Sequence, residues 1–291
     1  MKISVITPCY NSESYIEETI ESVLSQRGRF EIEYIIVDGG STDKTISVIE
    51  KWKGLVESGG YTIKCSKVNF HFISEKDEGM YEAIVKGFEL ATGDILAYIN
   101  SDDFYLPNAF SAMSEIFEKY PDVDWITGVN VGYNTKGQVT DCLLPFKYKN
   151  KFVRRGIYGT ILPFIQQEST CWRRKLIIDL DFERLKQYKF AGDFYMWYTF
   201  SKKADLHIAQ GCLAGFRSHG GQVSKQRNKY LKEFNSIAER KGFGDAIVAY
   251  GYKVVTYFTP NVVKRILNKK IIYYDNDAGQ WVRGGEGIKP L

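Results

Sequence analysis

Four short apolar runs, each followed by a stretch of helical periodicity, constrain this chain more than any other feature. The runs are "ISVITP", "YIIVDGG", "FHFISEKD" and "DILAYINSDD". Near-continuous apolar stretches of this length read as strands covered on both faces of a parallel sheet. Between them, "SESYIEETIESVLSQ" puts Ile16, Ile20, Val23 and Leu24 on one helical face, with Ser14 and Glu17 spaced as a capping box. "STDKTISVIEKW" carries Ile46, Ile49 and Trp52 at helical spacing, and "GMYEAIVKGFELATG" reads as a helix closed by Gly93. "PNAFSAMSEIFEKYP" opens with Pro107 as a further helix, and "DVDWITGVNVGY" reads as another strand. Strict alternation of strand and helix predicts an α/β fold with a mostly parallel sheet flanked by helices. After about residue 140 the pattern loosens. "NTKGQ" reads as a hairpin turn, "DFYMWYTFSKKA" as an aromatic-rich helix, and "ADLHIAQGCLAGFRSHGG" as one or two more strands.

The strand ends are acidic. Asp38 closes the second run, Glu75 and Asp77 follow the third, and Asp102 and Asp103 close the fourth. Open α/β sheets bind ligands at the carboxyl ends of their strands. Two adjacent carboxylates repel each other and call for a cationic partner, which points to a divalent cation at a nucleotide site. Simple turn or cap residues before Pro107 are the alternative. The turn after the first strand, "TPCYNSE", has no GxGxxG, and no GxxxxGK[ST] occurs in the chain. The rim therefore binds a nucleotide by other means, or binds none.

Composition excludes several classes. A net charge of +4 on 291 residues, with no basic stripe interleaved with aromatics before the C-terminal region, argues against nucleic acid as a partner. Five widely spaced cysteines form no CxxC pair, so zinc sites and a disulfide framework are not expected and a reducing compartment fits. "MKISVITPCYN" enters a strand without an apolar leader, and no stretch has the uncharged length to span a bilayer. A cytoplasmic protein is expected.

The ordered set "VITPCYNSESYIEETIESVLSQ", "YIIVDGGSTDKT", "SEKDEGMYEAIVKG" and "ATGDILAYINSDD" resembles glycosyltransferase family 2, the inverting enzymes of GT-A fold. The likeness continues through "QQESTCWRR", "FAGDFYMW" and "GFRSHGGQVS", as in many bacterial members, and covers roughly residues 1–226. It implies a Rossmann-like GT-A domain over residues 1–226, with a nucleotide-sugar half (1–104), an acceptor half (105–226), and a helical, basic C-terminal extension (227–291). The implied reaction moves a sugar, with inversion, from a UDP-, GDP- or dTDP-sugar to a glycan or lipid-linked acceptor in surface polysaccharide assembly. By the resemblance, Thr7, Pro8, Tyr10 and Asn11 form the first nucleotide loop, Asp38 reads the base, and Asp77 and Gly79 line the pocket. Asp103 is the implied ligand of Mn²⁺ or Mg²⁺; Asp102 shares metal and ribose contacts, and Ser101 lies beside them. His219 is a third ligand or diphosphate donor, Arg217 a pyrophosphate partner, and the glycine loop after His219 a closing lid. Asp193 matches the catalytic base, with Gly192 leaving room for the acceptor, and Glu168 is its rival or a binder of sugar hydroxyls. Asn100 and Ser101 stand where many relatives carry further acids, Val85 where they carry Asn, and Cys171 where they often carry an aromatic.

A nucleotidyltransferase would need a glycine-rich, basic loop at the triphosphate, which "TPCYNSESY" is not. Retention of Asp38, Asp102, Asp103 and Asp193 speaks against an inactive sugar-binding relative. In the tail, "IVAYGYKVVTYFTPNVVKRILNKKIIYY" places Val262, Val263, Ile266 and Leu267 at helical spacing, with Lys253, Lys264, Arg265, Lys269 and Lys270 free to take the other side. Such a segment is expected to lie on the inner face of an anionic membrane or to pack on the protein itself. Oligomeric state is not legible.

Overall fold

The structure, a computed structural model, describes residues 1–220 and 226–286. Its first half alternates as expected: β1 (Lys2–Cys9), α1 (Ile16–Leu24), β2 (Glu31–Asp38), α2 (Thr45–Glu57), β3 (Lys67–Ser74), α3 (Met80–Leu90), β4 (Ile95–Tyr98). The short β5 (Phe104–Tyr105) precedes α4 (Ala109–Lys119), β6 (Trp125–Thr127), β7 (Asn130–Tyr133) and β8 (Val139–Leu143). Then come α5 (Asn150–Arg154), β9 (Thr170–Arg173), α6 (Phe182–Lys186), α7 (Gly192–Phe200), β10 (Leu206–Ala209) and β11 (Ala214–Arg217). The tail supplies α8 (Arg227–Ile237), α9 (Phe243–Phe258), α10 (Asn261–Leu267), β12 (Ile271–Asp275) and β13 (Gln280–Arg283).

The main sheet has the order β13-β12-β10-β6-β9-β4-β1-β2-β3. Strands β1, β2, β3 and β4 are parallel, and their register aligns Cys9 with Asp38 and Asp38 with Ser74 at one rim. Strand β9 runs antiparallel to both neighbours, β4 and β6. That reversal carries the residues just before β9 back to the carboxyl end of β4, where Gln167 Nε2 donates to the Tyr98 carbonyl at 2.6 Å. A second sheet, β5-β11-β7-β8, lies beside the first, and its β11 reaches the same rim. Cys171 is fully buried in β9, which accounts for it as a core residue.

Three local expectations change. Ser14 and Glu17 form no capping box: α1 starts at Ile16, and Glu17 instead accepts from Lys51 Nζ at 2.9 Å and Trp52 Nε1 at 3.2 Å. The run "DVDWITGVNVGY" breaks at Gly128 into β6 and β7, which belong to different sheets. A Cβ on Gly128 would lie 3.0 Å from the Gly211 carbonyl, so the crossing of the two segments leaves little room for a side chain. The tail, expected to be helical and basic, also contains strands: β12 pairs in parallel with β10 and with β13 closes that edge of the main sheet.

Candidate active site

The rim is built from loops that tie to one another. After β1, Asn11 adopts a left-handed conformation (φ 48°); its backbone N–H donates to Ser41 Oγ at 2.8 Å and its Oδ1 accepts from the Thr42 N–H at 2.9 Å. Ser12 donates its N–H to Thr45 Oγ1 at 2.7 Å and shares a 2.7 Å hydrogen bond with the Ser101 hydroxyl. Thus the loops after β1, β2 and β4 form one floor. Tyr10 stands on it, 62% exposed and available to a planar ligand. Thr7 and Pro8 are buried within β1, where the Thr7 hydroxyl meets the Tyr34 hydroxyl at 3.2 Å. Their side chains support the loop rather than face a ligand. The Asp38 carboxylate is also buried: Oδ2 accepts from Gly40 N at 3.1 Å, Ser41 N at 2.9 Å and Ser74 Oγ at 2.8 Å, and Oδ1 accepts from the Ser41 hydroxyl. In this arrangement Asp38 organises the β2 turn, and its acceptor sites are held by protein donors.

Asp77 sits against Gly39, whose added Cβ would lie 2.8 Å from Asp77 Oδ2. Its Oδ1 accepts from the Gly79 N–H at 2.9 Å, and burial pushes its carboxyl above the usual range. Gly79 starts α3 at φ 145°, a backbone conformation that disfavours any Cβ.

At the end of β4 the two acids part company. Asp103, expected to be the metal ligand, is directed inward and is 1% exposed. Its Oδ1 accepts from the Arg217 N–H at 2.8 Å and its Oδ2 from Asn100 Nδ2 at 3.3 Å. Burial, then Glu168 and Asp102, raise its carboxyl well above the ordinary range. Asp103 is thus enclosed by protein donors, and the more exposed carboxylate of the pair is its neighbour Asp102. Asp102 is half-exposed, and its Oδ2 meets His219 Nε2 at 2.8 Å. The His219 ring packs on Tyr15, with ring centroids 4.9 Å apart.

Arg217 likewise departs from expectation. Its guanidinium is buried between Tyr15 (4.9 Å) and Phe104 (5.1 Å), is ion-paired with Glu18, and donates through Nε to the Asp102 carbonyl at 2.9 Å. It braces the acidic turn from behind instead of presenting itself to a pyrophosphate. The proposed glycine lid begins at Gly220, and its residues from 221 to 225 lie outside the described residues.

The second half of the site comes from α7 and the segment before β9. Asp193 sits in the first turn of α7; its Oδ1 accepts from the Phe194 N–H at 2.7 Å. Burial raises its carboxyl from 3.8 to about 6, opposed by that hydrogen bond. Asp193 lines a small pocket with Phe164, Ile165, Trp197, Tyr230 and Phe234. Ala191 holds the cap position of α7, so Asp193 is not the N-cap. Gly192 does not leave open space: a Cβ there would lie 2.5 Å from the Tyr81 ring. The Tyr81 hydroxyl accepts from the Asp193 N–H at 3.1 Å and donates to the Phe190 carbonyl at 3.3 Å. Glu168 is buried, accepts from Gln166 Nε2, and is pushed up first by burial and then by the charges of Asp102 and Asp193. Asp102 and Asp193 are therefore both near enough for their charges to act on Glu168.

One contributor was not visible in the sequence. Glu233, on α8, accepts from the backbone N–H groups of Lys189 (3.0 Å), Phe190 (2.8 Å) and Ala191 (2.9 Å). It fixes the loop that delivers Asp193. Nothing in its local pattern marks it, because its partners are main-chain groups more than 40 residues away.

A largely parallel sheet interrupted in its interior by the reversed β9, with acids gathered along the rim, is the architecture of the GT-A glycosyltransferases. Among solved structures, TarS of S. aureus in complex with UDP-GlcNAc matches with a TM-score of 0.56 and 16% identity, over 92% of this chain and 70% of that one. The mannosyltransferase PcManGT from Pyrobaculum calidifontis, in complex with GDP-Man and Mn²⁺, matches with a TM-score of 0.55 and 16% identity, over 90% and 71%. By sequence, an uncharacterized glycosyltransferase of Rickettsia typhi is 23% identical over 240 residues, 81% of this chain and 70% of that protein. One from Mycoplasma genitalium is 24% identical over 279 residues, 92% and 86%. The model of the family described as "Glycosyl transferase family 2" matches residues 4–217. This chain belongs to that family, and it is a glycosyltransferase.

Proposed function

We propose that this enzyme transfers a sugar, with inversion, from a nucleoside-diphosphate sugar to a hydroxyl of a glycan or lipid-linked acceptor, in the building of a surface polysaccharide. The observation that carries the reading is the buried Glu168, on which Asp102 from the nucleotide rim and Asp193 from the acceptor pocket both act. In this reading Glu168 lies within electrostatic reach of both the donor side and the acceptor side. The solved neighbours TarS and PcManGT, with UDP-GlcNAc and with GDP-Man and Mn²⁺, support a nucleotide sugar as donor.

In this reading Asn11, Ser12 and Ser101 set the floor, Tyr10 packs on the base, and Asp77 with Gly79 lines the pocket. Asp38 shapes the base pocket through its turn, and reading the base directly would mean exchanging one of its bonds to Gly40, Ser41 or Ser74. The donor set fits a divalent cation. Asp102 Oδ2 and His219 Nε2 converge, and two residues before Asp102 the Asn100 Oδ1 is buried with no protein partner among the described residues. No three His, Cys, Asp or Glu side chains gather as a ligand cluster among the described residues, so a cation held by Asp102 and His219 would also need oxygens of the bound diphosphate. Bound there, Mn²⁺ or Mg²⁺ would neutralise charge on the departing diphosphate.

Asp193 is the base. Its carboxylate takes the proton of the acceptor hydroxyl as that oxygen bonds to the anomeric carbon from the face opposite the leaving group. The bond from the anomeric carbon to the diphosphate oxygen breaks, and the nucleoside diphosphate leaves with the electron pair. A carboxyl near 6 is ionised at neutral pH and still basic enough to accept a proton. Glu168, kept more readily protonated by its burial, is suited to donate to a sugar hydroxyl. A thermal-shift series with UDP, GDP, dTDP and CMP, each with and without Mn²⁺, tests the donor side. Cation-dependent stabilisation by one nucleoside diphosphate is expected; no response to any of them would contradict the reading.

A further inference from the structure

The helices α9 and α10 invert the usual arrangement of a surface helix. On α9 the inward stripe is Asp245, Ala249, Tyr252 and Thr256, whereas Ile247, Tyr250, Val254, Tyr257 and Phe258 face solvent. On α10 Lys264 is the buried residue, its Nζ donating to the Leu144 carbonyl at 3.0 Å and the Thr256 carbonyl at 2.6 Å. Ile266 and Leu267, expected to face inward if the helix packed on the protein, are 51% and 54% exposed. Of the eighteen large apolar side chains exposed among the described residues, eleven fall between positions 243 and 267. Scattered exposed apolar residues need no explanation, but a contiguous patch of this kind marks an interaction surface.

The patch is held in place. Asp245 pairs with Arg155 and Lys151, which keeps its carboxyl down at about 2. Tyr252 packs on Phe146 and Phe152, at 5.3 and 5.8 Å between ring centroids. The outward face is therefore a fixed feature of the fold.

We propose that this face seats the protein on an anionic lipid surface. Residues 240–270 contain seven basic side chains and a single acid, and that acid is the buried Asp245. Arg240, Lys241, Lys253 and Lys269 are exposed around the apolar face. Apolar and aromatic groups within a rim of uncompensated positive charge match the acyl boundary and phosphate layer of an anionic bilayer. A two-fold contact between copies would set the same cations against one another with no exposed acid to offset them. Among the described residues no helix is long and apolar enough to cross a membrane, so the contact is peripheral. The proposal stands independently of the sugar-transfer reading.

The test is sedimentation of the full chain with phosphatidylglycerol-containing vesicles and with pure phosphatidylcholine vesicles. Binding to the anionic vesicles alone is expected, weakening strongly between about 0.01 M and 1 M salt. A Val254→Ser, Phe258→Ser, Ile266→Ser triple variant, changed only at exposed positions, should stay in the supernatant with an unaltered melting temperature. A Lys253→Glu, Lys269→Glu variant leaves the apolar face intact and should bind about fivefold more weakly, or worse, per charge. Failure of the full chain to bind either vesicle would overturn the proposal. So would a concentration-dependent dimer that the triple variant abolishes, since the face would then be a contact between copies.

Discussion

The strand-end rim and the α9–α10 hairpin treat polarity in opposite ways. At the rim, acids are drawn inward: Asp38, Asp103 and Glu168 are buried, and Asp103 receives the Arg217 N–H. At the hairpin a lysine is drawn inward and apolar side chains are turned out. Both choices oppose stability, because a buried ionisable group loses hydration and an exposed apolar side chain gains nothing from folding. The rim offsets its penalty with main-chain and side-chain hydrogen bonds, and burial raises the carboxyls of Asp103 and Glu168 above their usual range. The hairpin offsets the burial of Lys264 and Asp245 through their partners, and leaves its apolar face exposed. In the readings proposed above, these departures from the ordinary inside–outside rule mark the reacting site in one case and a docking surface in the other.

The contrast can be broken by substitution. The largest effect is expected for Asp193→Asn, which should cut turnover by roughly 10²-fold or more while donor affinity stays within twofold. The same change should raise the melting temperature above about pH 6. Asp193 binds protons more readily folded than unfolded, so its contribution to stability is present at low pH and lost as pH rises through about 6. A collapse of donor affinity instead would move Asp193 to the nucleotide site.

Next in size is the division between the adjacent acids. Asp102→Asn should abolish the Mn²⁺ dependence of nucleotide binding measured by calorimetry. Asp103→Asn should keep it and leave the fold intact, since a neutral amide oxygen can still accept from the Arg217 N–H. The reverse pattern would restore Asp103 as the cation ligand. A smaller loss is expected at Glu233. Glu233→Ala strips three backbone N–H groups of their acceptor, at about 1–3 kcal/mol for a group left buried and unsatisfied. It should lower kcat more than it raises KM for donor, and Glu233→Gln, which retains an acceptor oxygen, should recover most of the loss. Recovery of stability without recovery of kcat would show that the Glu233 charge, which acts on Asp193, matters beyond its hydrogen bonds. Smallest of all, Gly192→Ala pushes a methyl against the Tyr81 ring and should cost about 1–3 kcal/mol in a denaturant melt, with activity falling in proportion.

Much of the rim was legible because its signals are local. Apolar runs ending in Asp38 and Asp102, and helices between them, are properties of consecutive residues, so the parallel sheet and its acidic rim follow from pattern alone. What was not legible depends on contacts between distant segments. The inward turn of Asp103 is decided by the N–H of Arg217, 114 residues on, and the bracing role of Arg217 by Tyr15, Phe104 and Glu18. Gly192 and Glu233 have meaning only once Tyr81 and the Lys189–Ala191 loop are beside them. In the tail, helical spacing located α10 but gave no sign of which side would face out. The apolar side reads as the inner one until the Leu144 and Thr256 carbonyls are seen to capture Lys264.

The central claim is that Asp193, held near 6 by burial, is the base for sugar transfer. The pH dependence of kcat/KM for nucleoside diphosphate release, measured for the wild type, Asp193→Asn and Glu168→Gln, tests it most directly. The wild-type rate should climb with pH through about 6 and then level off, because only the ionised carboxyl can accept the proton. Asp193→Asn should be slow and lack that inflection, and Glu168→Gln should retain it. An inflection that persists in Asp193→Asn but disappears with Glu168→Gln would contradict the claim and make Glu168 the base.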